Sequence, residues 1–191
     1  MTKRFVFYVI FFIIFFSASK PGVCFDDGFG FGNKINGRYF TIYCADGVDP
    51  GLIVDKLNVT EAERILAGYP GRIEGSSAQR LAAMVDILFL RACNILEMNV
   101  NDFSGILKVC RDQQHLQAIY NKLFEADISA PSFYTYTLNT IYIASSGCAR
   151  GILGHEIAHA VTSNFFVVQP SHKTAEILSG YVEYQLRKSL E

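Results

Sequence analysis

Between Ser77 and Met98 the apolar residues Leu81, Val85, Leu88, Phe89, Ala92 and Leu96 recur at spacings of three and four. That period predicts a helix with one face turned to a core. Arg38 to Cys44 is aromatic and β-branched and ends at Asp46-Gly47, which predicts a strand and a turn. Leu52 to Leu57 reads as a short helix, and Thr60 caps a second, with Glu61 and Glu63 in its first turn. Phe103 to Cys110 then reads as a strand and Asp112 to Phe124 as a helix. Phe133 to Thr137 and Thr140 to Ala144 form two short strands turning at Leu138-Asn139. Two helices close the pattern, Ala149 to Ser163 and Lys173 to Ser189, joined by a loop containing Pro170. Phe25 to Gly37 is glycine-rich and has no sustained period, so it reads as a loop.

Half of the 191 residues are apolar, enough for one core and one α+β domain. Over the whole chain the net charge of −1 offers no basic excess for a phosphate backbone or an anionic membrane surface, which argues against nucleic acid as a partner and leaves a membrane only if the N-terminal segment stays uncleaved. The N-terminus changes the picture more. Lys3 and Arg4 precede an apolar run from Phe5 to Phe16, followed by Ser17, Ala18 and Ser19. Twelve residues are short against the roughly 20 that span a bilayer, so residues 1–19 read as a signal peptide cleaved before Lys20. An uncleaved membrane anchor is the alternative. The expected division is a signal peptide over 1–19, a flexible glycine-rich segment over 20–37 and a domain over 38–191. Cys24, Cys44, Cys93, Cys110 and Cys148 show no C-x-x-C spacing, and export would permit disulfides whose pairing spacing does not define.

The chemistry concentrates in Gly154-His155-Glu156-Ile157-Ala158-His159, which contains H-E-x-x-H. On a helix the two histidines lie on one face, where both imidazoles can bind one zinc ion. Glu156 then reaches a metal-bound water without being a ligand and can act as general base. Ile152, Leu153, Ile157, Ala160 and Val161 surround them, an apolar setting in which unpartnered imidazoles would be costly. A catalytic zinc takes a third protein ligand. The extended metzincin pattern needs Gly at 162 and His at 165, where this chain has Thr162 and Phe165. His172, Glu176 and Glu183 remain as candidates, while His115, isolated on an earlier helix, reads as structural.

Here the chain resembles the gluzincin metallopeptidases, whose third ligand is a Glu on the helix after H-E-x-x-H, often within E-G-x-A-E-Y. Glu176-Ile177-Leu178-Ser179-Gly180-Tyr181 matches that stretch in register, with sixteen residues between His159 and Glu176. The resemblance implies a minimal zincin-like fold, a small mixed sheet with the metal helix packed beneath it. It implies zinc held by His155, His159 and Glu176 and puts Tyr181 at the aromatic position of the stretch; Tyr181 reads as a core tyrosine or as a group that stabilises the oxyanion. Ile177 and Gly180 depart from the pattern, which leaves open the carboxylate that usually orients a ligand imidazole. Glu183 reads either as that carboxylate or as an exposed charge. The resemblance also makes residues 139–144 an edge strand that pairs with extended peptide or protein substrate.

The expected activity is zinc-dependent hydrolysis of a peptide bond by an exported enzyme. A noncatalytic zinc-binding module and a zinc hydrolase acting on a non-peptide amide are the rivals. The chain has little sequence after the second helix to build the far wall of a cleft, so a partner completing that wall is also expected.

Overall fold

The computed structural model describes residues 26–189. The expected signal peptide lies outside them. The elements run β1 (Gly32–Asn36), β2 (Phe40–Ala45), α1 (Pro50–Leu57), α2 (Glu61–Leu66), α3 (Ser77–Leu96), β3 (Gly105–Cys110) and α4 (Gln113–Phe124). β4 (Ser132–Thr135), β5 (Thr140–Ala144), α5 (Arg150–Phe165) and α6 (His172–Lys188) complete the chain. The fold is α+β, a five-stranded mixed sheet with six α-helices among the described residues.

Strand order is β1-β2-β3-β5-β4. β2, β3 and β5 are parallel, and β1 and β4 run antiparallel on the two edges. Side chains alternate between the two faces, and this alternation sorts the helices. Phe40 on one face meets Phe89 of α3, and Ser132 on the same side of the sheet meets Glu156 of α5. Phe133, the next residue along β4, stacks on Tyr142 and packs against Tyr120 and Phe124 of α4. Helices therefore cover both faces.

Local chemistry accounts for most boundaries. Thr60 and Glu63 form a capping box that starts α2, and Ser76 and Gln79 form one that starts α3. Asp112 caps α4 and Ser171 caps α6, each accepting a backbone N–H in the first turn. Asn139, at φ +44°, makes the left-handed turn that reverses the chain from β4 into β5.

Two expectations are corrected. The glycine-rich stretch holds the edge strand β1, and among its described residues Asp27 and Phe29 are packed into the fold. Asp27 is buried, accepts from the backbone N–H of Phe29 at 3.0 Å, and is bonded by Lys108 and Tyr142. Gly28 and Gly30 sit at positive φ, so the glycines there make turns that aim Asp27 inward. The second correction concerns the sheet edge. Residues 140–144 lie between β3 and β4, and the edge is β4, Ser132–Thr135.

The contact that matters most for the site is between α5 and α6. Leu153, Ile157, Ala160 and Val161 of α5 are fully buried, as are Val182 and Leu186 of α6. Burying each Leu, Ile or Val contributes about 1.5–3 kcal/mol. Close approach depends on two glycines. A Cβ at Gly154 would stand 2.1 Å from Leu186 Cδ1, and one at Gly151 would stand 2.7 Å from Arg187 Nε. At the base of the pair, buried Arg150 donates to the carbonyls of Leu186 at 3.0 Å and Asn58 at 2.7 Å, and pairs with Glu63. It joins α5, α6 and the start of α2 at one point.

Candidate metal centre

His155 and His159 stand one turn apart on α5, so their rings emerge on the same side of the helix. Their Nε2 atoms lie 3.2 Å from each other. α6, held close by Gly151 and Gly154, brings Glu176 against both. Glu176 Oε2 is 3.5 Å from His155 Nε2, and Oε1 is 3.3 Å from His159 Nε2. One ligand atom from each of the three residues falls within 4.8 Å of the others. Two imidazole nitrogens and a carboxylate converging in this way fit a divalent metal, and the donor set suits zinc among others. Burial, and then the neighbouring His155, lowers the pKa of His159 to about 4, so its ring is neutral and able to donate a lone pair at pH 7.

Glu156 faces the sheet side of the same cluster. It is almost wholly buried, and burial raises its pKa to about 7; the Ser132 hydroxyl and the neighbouring His155 oppose that rise, while Glu176 and Glu183 add to it. Ser132 Oγ on β4 donates to Glu156 Oε1 at 2.7 Å. A carboxyl group near neutrality, held at a fixed position, can both accept and return a proton at pH 7.

The carboxylate left open by Gly180 is found one turn further along α6. His155 Nδ1–H donates to Glu183 Oε2 at 3.2 Å. Glu183 Oε1 in turn accepts from Arg187 Nε at 3.0 Å and Nη2 at 2.7 Å. This chain of bonds keeps the proton on Nδ1 and leaves Nε2, the nitrogen aimed at Glu176, free as a ligand.

His155, Glu156, His159 and Glu176 line a cleft of about 450 Å³ together with Ser132, Phe133 and Tyr134 of β4 and with Tyr120 and Ile128. His172 stands at the rim, its Nε2 3.5 Å from Glu176 Oε1 and its side chain almost fully exposed, outside the ligand cluster. Tyr181 is not brought to the site. It is 48 % exposed on α6 and does not line the cleft, because the turn that points Glu176 and Ser179 at α5 points Tyr181 away. The oxyanion role expected for Tyr181 therefore has no geometric basis. Tyr134 does line the cleft, and its hydroxyl donates to Asn139 Oδ1 at 2.9 Å.

Ser132, Arg187, Gly151 and the helix-contact role of Gly154 were not legible as site features. Only Gly154 carried a signal, as a small residue directly before the first histidine. No protein-family model matches the chain, and no curated protein or solved structure does so either.

Proposed function

We propose that the chain is a gluzincin-type zinc peptidase with a minimal zincin-like domain. The observation that carries the reading is the meeting of two kinds of group in one cleft. His155, His159 and Glu176 converge as ligands, and beside them Glu156, which takes no part in the ligand cluster, is buried with its pKa near 7. A site that only held metal would have no use for the second feature.

Bound by those three residues, zinc would supply Lewis acidity toward a carbonyl oxygen and lower the pKa of a water molecule. The protein residues do the rest. Glu156 takes the proton from the attacking water and returns it to the leaving amine. Ser132 fixes the carboxyl oxygen it donates to, so the other oxygen of Glu156 is the one that works. Glu183 and Arg187 orient His155. β4 has one neighbour in the sheet, β5, and Ser132, Phe133 and Tyr134 on it line the cleft. Its unpaired side is where an extended peptide would add as a strand and pass over the metal.

The test is zinc content and peptidase activity measured together. The unmodified chain is expected to hold one zinc and to cleave members of a quenched fluorescent peptide library. Glu176→Gln should lose the zinc. Glu156→Gln should keep it and lose about 10²–10⁴-fold in kcat/KM. A zinc-loaded chain that cleaves no peptide, or one whose activity survives Glu156→Gln, would refute the peptidase reading.

A further inference from the structure

The outward side of α6 carries a surface that the metal centre does not use. Lys173, Ile177, Tyr181, Tyr184 and Lys188 follow one another at spacings of four, four, three and four, so they share one face of the helix. All five are exposed, Ile177 at 61 % and Tyr184 at 58 %. Gly180 lies within the stripe with open space above it. No acidic residue stands among the five, because Glu176 and Glu183 turn toward α5. A basic residue closes each end.

At the N-terminal end of this stripe the α5–α6 connection presents Phe165, Phe166, Val167 and Val168, four consecutive apolar residues, with Val167 fully exposed. The connection is hydrogen-bonded rather than frayed. Gln169 Nε2 donates to the carbonyls of Ser163 at 2.9 Å and Phe166 at 3.2 Å, and the two phenylalanine rings pack edge to face at 5.2 Å. Its apolar side chains are thus held outward by the local structure, a contiguous exposure that marks a contact surface.

We infer that this face docks on an anionic lipid bilayer. The Phe165–Val168 loop enters the boundary between headgroups and acyl chains, Tyr181 and Tyr184 lie at headgroup level, and Lys173 and Lys188 meet the anionic headgroups. A projecting apolar loop, amphipathic tyrosine rings and lysines with long apolar stems are the elements from which interfacial binding is built. A flat protein partner would instead call for a packed patch with the lysines paired to acids. The sequence adds that Phe5 to Phe16, outside the described residues, is an apolar run that would bring the chain to a membrane as signal or as anchor. Docking in this orientation sets His172 and the cleft rim beside the lipid surface, within reach of peptide segments that emerge from it. The inference stands on the α6 face and the loop, independently of the metal.

The chain contains no tryptophan, so a single indole is a clean reporter. The full chain carrying Val167→Trp is mixed with vesicles of phosphatidylglycerol and phosphatidylcholine, and compared with Phe124→Trp, on α4 across the sheet. The indole at position 167 should shift to shorter wavelength and be quenched by lipids brominated on the acyl chain, and the indole at position 124 should do neither. Lys173→Glu with Lys188→Glu should lower partition onto the anionic vesicles at least tenfold, at about fivefold for each lysine lost, and leave phosphatidylcholine vesicles unaffected. An unshifted indole at position 167 on vesicle-bound chain would overturn the inference. So would equal shifts at both positions, which would mean that no one face docks. A shift that depends on protein concentration and needs no lipid would assign the face to a second copy of the chain and also overturn it.

Discussion

Glu183 gives the sharpest test of how the proposed metal centre would be held. Its Oε2 accepts the Nδ1–H of His155 at 3.2 Å, and its other oxygen is gripped by two N–H groups of Arg187. Glu183→Gln keeps an acceptor at that position and removes the charge that makes the ligand nitrogen more basic. Glu183→Ala also frees the ring to rotate. The carboxylate is about a third exposed, which discounts the raw attraction. What remains is a charge-assisted hydrogen bond of about 1.5–3 kcal/mol, strengthened when the ring polarises toward a cation. Zinc affinity should therefore fall about tenfold in Glu183→Gln and about a hundredfold in Glu183→Ala, the range for removing the group that a metal-binding histidine donates to. Competition with a fluorescent chelator at pH 7.5 measures this directly, and the melting temperature of the metal-free protein checks that the fold is retained. Arg187→Gln should weaken binding by a few-fold alone and add nothing on top of Glu183→Ala, since it acts only through that carboxylate. Unchanged affinity in Glu183→Ala, or an Arg187→Gln effect that persists in its absence, would refute the argument.

Ser132→Ala removes a hydrogen bond to the charged form of Glu156, so the pKa of Glu156 rises and the acidic limb of the kcat/KM profile moves to higher pH by up to about one unit; an unmoved limb would exclude the contact from the active form. Arg150→Met removes the closer of the two cations on buried Glu63, leaving Arg91 Nε at 3.4 Å, and should cost about 3 kcal/mol in denaturant unfolding, the low end for a broken buried pair. Burial opposes ionisation of Glu63, but Arg150 and the Thr60 cap outweigh it and hold its pKa below the ordinary 4.5. The unfolded chain therefore binds more protons, and the contribution of Glu63, fully present above 4.5, is lost as pH falls through its folded value. Acid titration of stability should show that loss in the native chain and a shallower one in Arg150→Met. Tyr181→Phe should leave kcat/KM within about twofold, since its ring faces away from the cleft; a loss of tenfold or more would restore it to the reaction.

What was legible in the sequence had a short period. The turn spacing that places His155 over His159 and the cap at Thr60 are decided within four residues, and each is found where its pattern puts it. The helix and strand types from β2 onward follow for the same reason. β1 was hidden because its five residues include glycine, lysine and two asparagines, and pairing with β2 rather than propensity makes them a strand. The position of 140–144 could not be read because adjacency in a sheet is a long-range matter. A strand buried on both sides is continuously apolar, and Thr140 to Ala144 is buried throughout, a sign of an interior strand that the expected edge role overrode.

The same distinction explains the site. Ser132 is 24 residues from Glu156, and Glu183 is 28 from His155, so neither contact has a local spacing to announce it. Both depend on how closely α5 approaches β4 and α6, and that distance is set by side chains that are missing. Any residue larger than glycine at 154 would meet buried Leu186, lift α6, and draw Glu183 and Glu176 away from the imidazoles together, while one at 151 would displace the Arg187 side chain that grips Glu183. The proposed third ligand and the carboxylate bonded to His155 are therefore coupled through one interhelical separation. With α6 at this separation, the residue at 183 reaches His155 although position 180, where relatives of the resembled family carry a carboxylate, is glycine with open space around it. The register of the second helix against the first decides which residue holds the imidazole, and that register is a property of packing rather than of the motif.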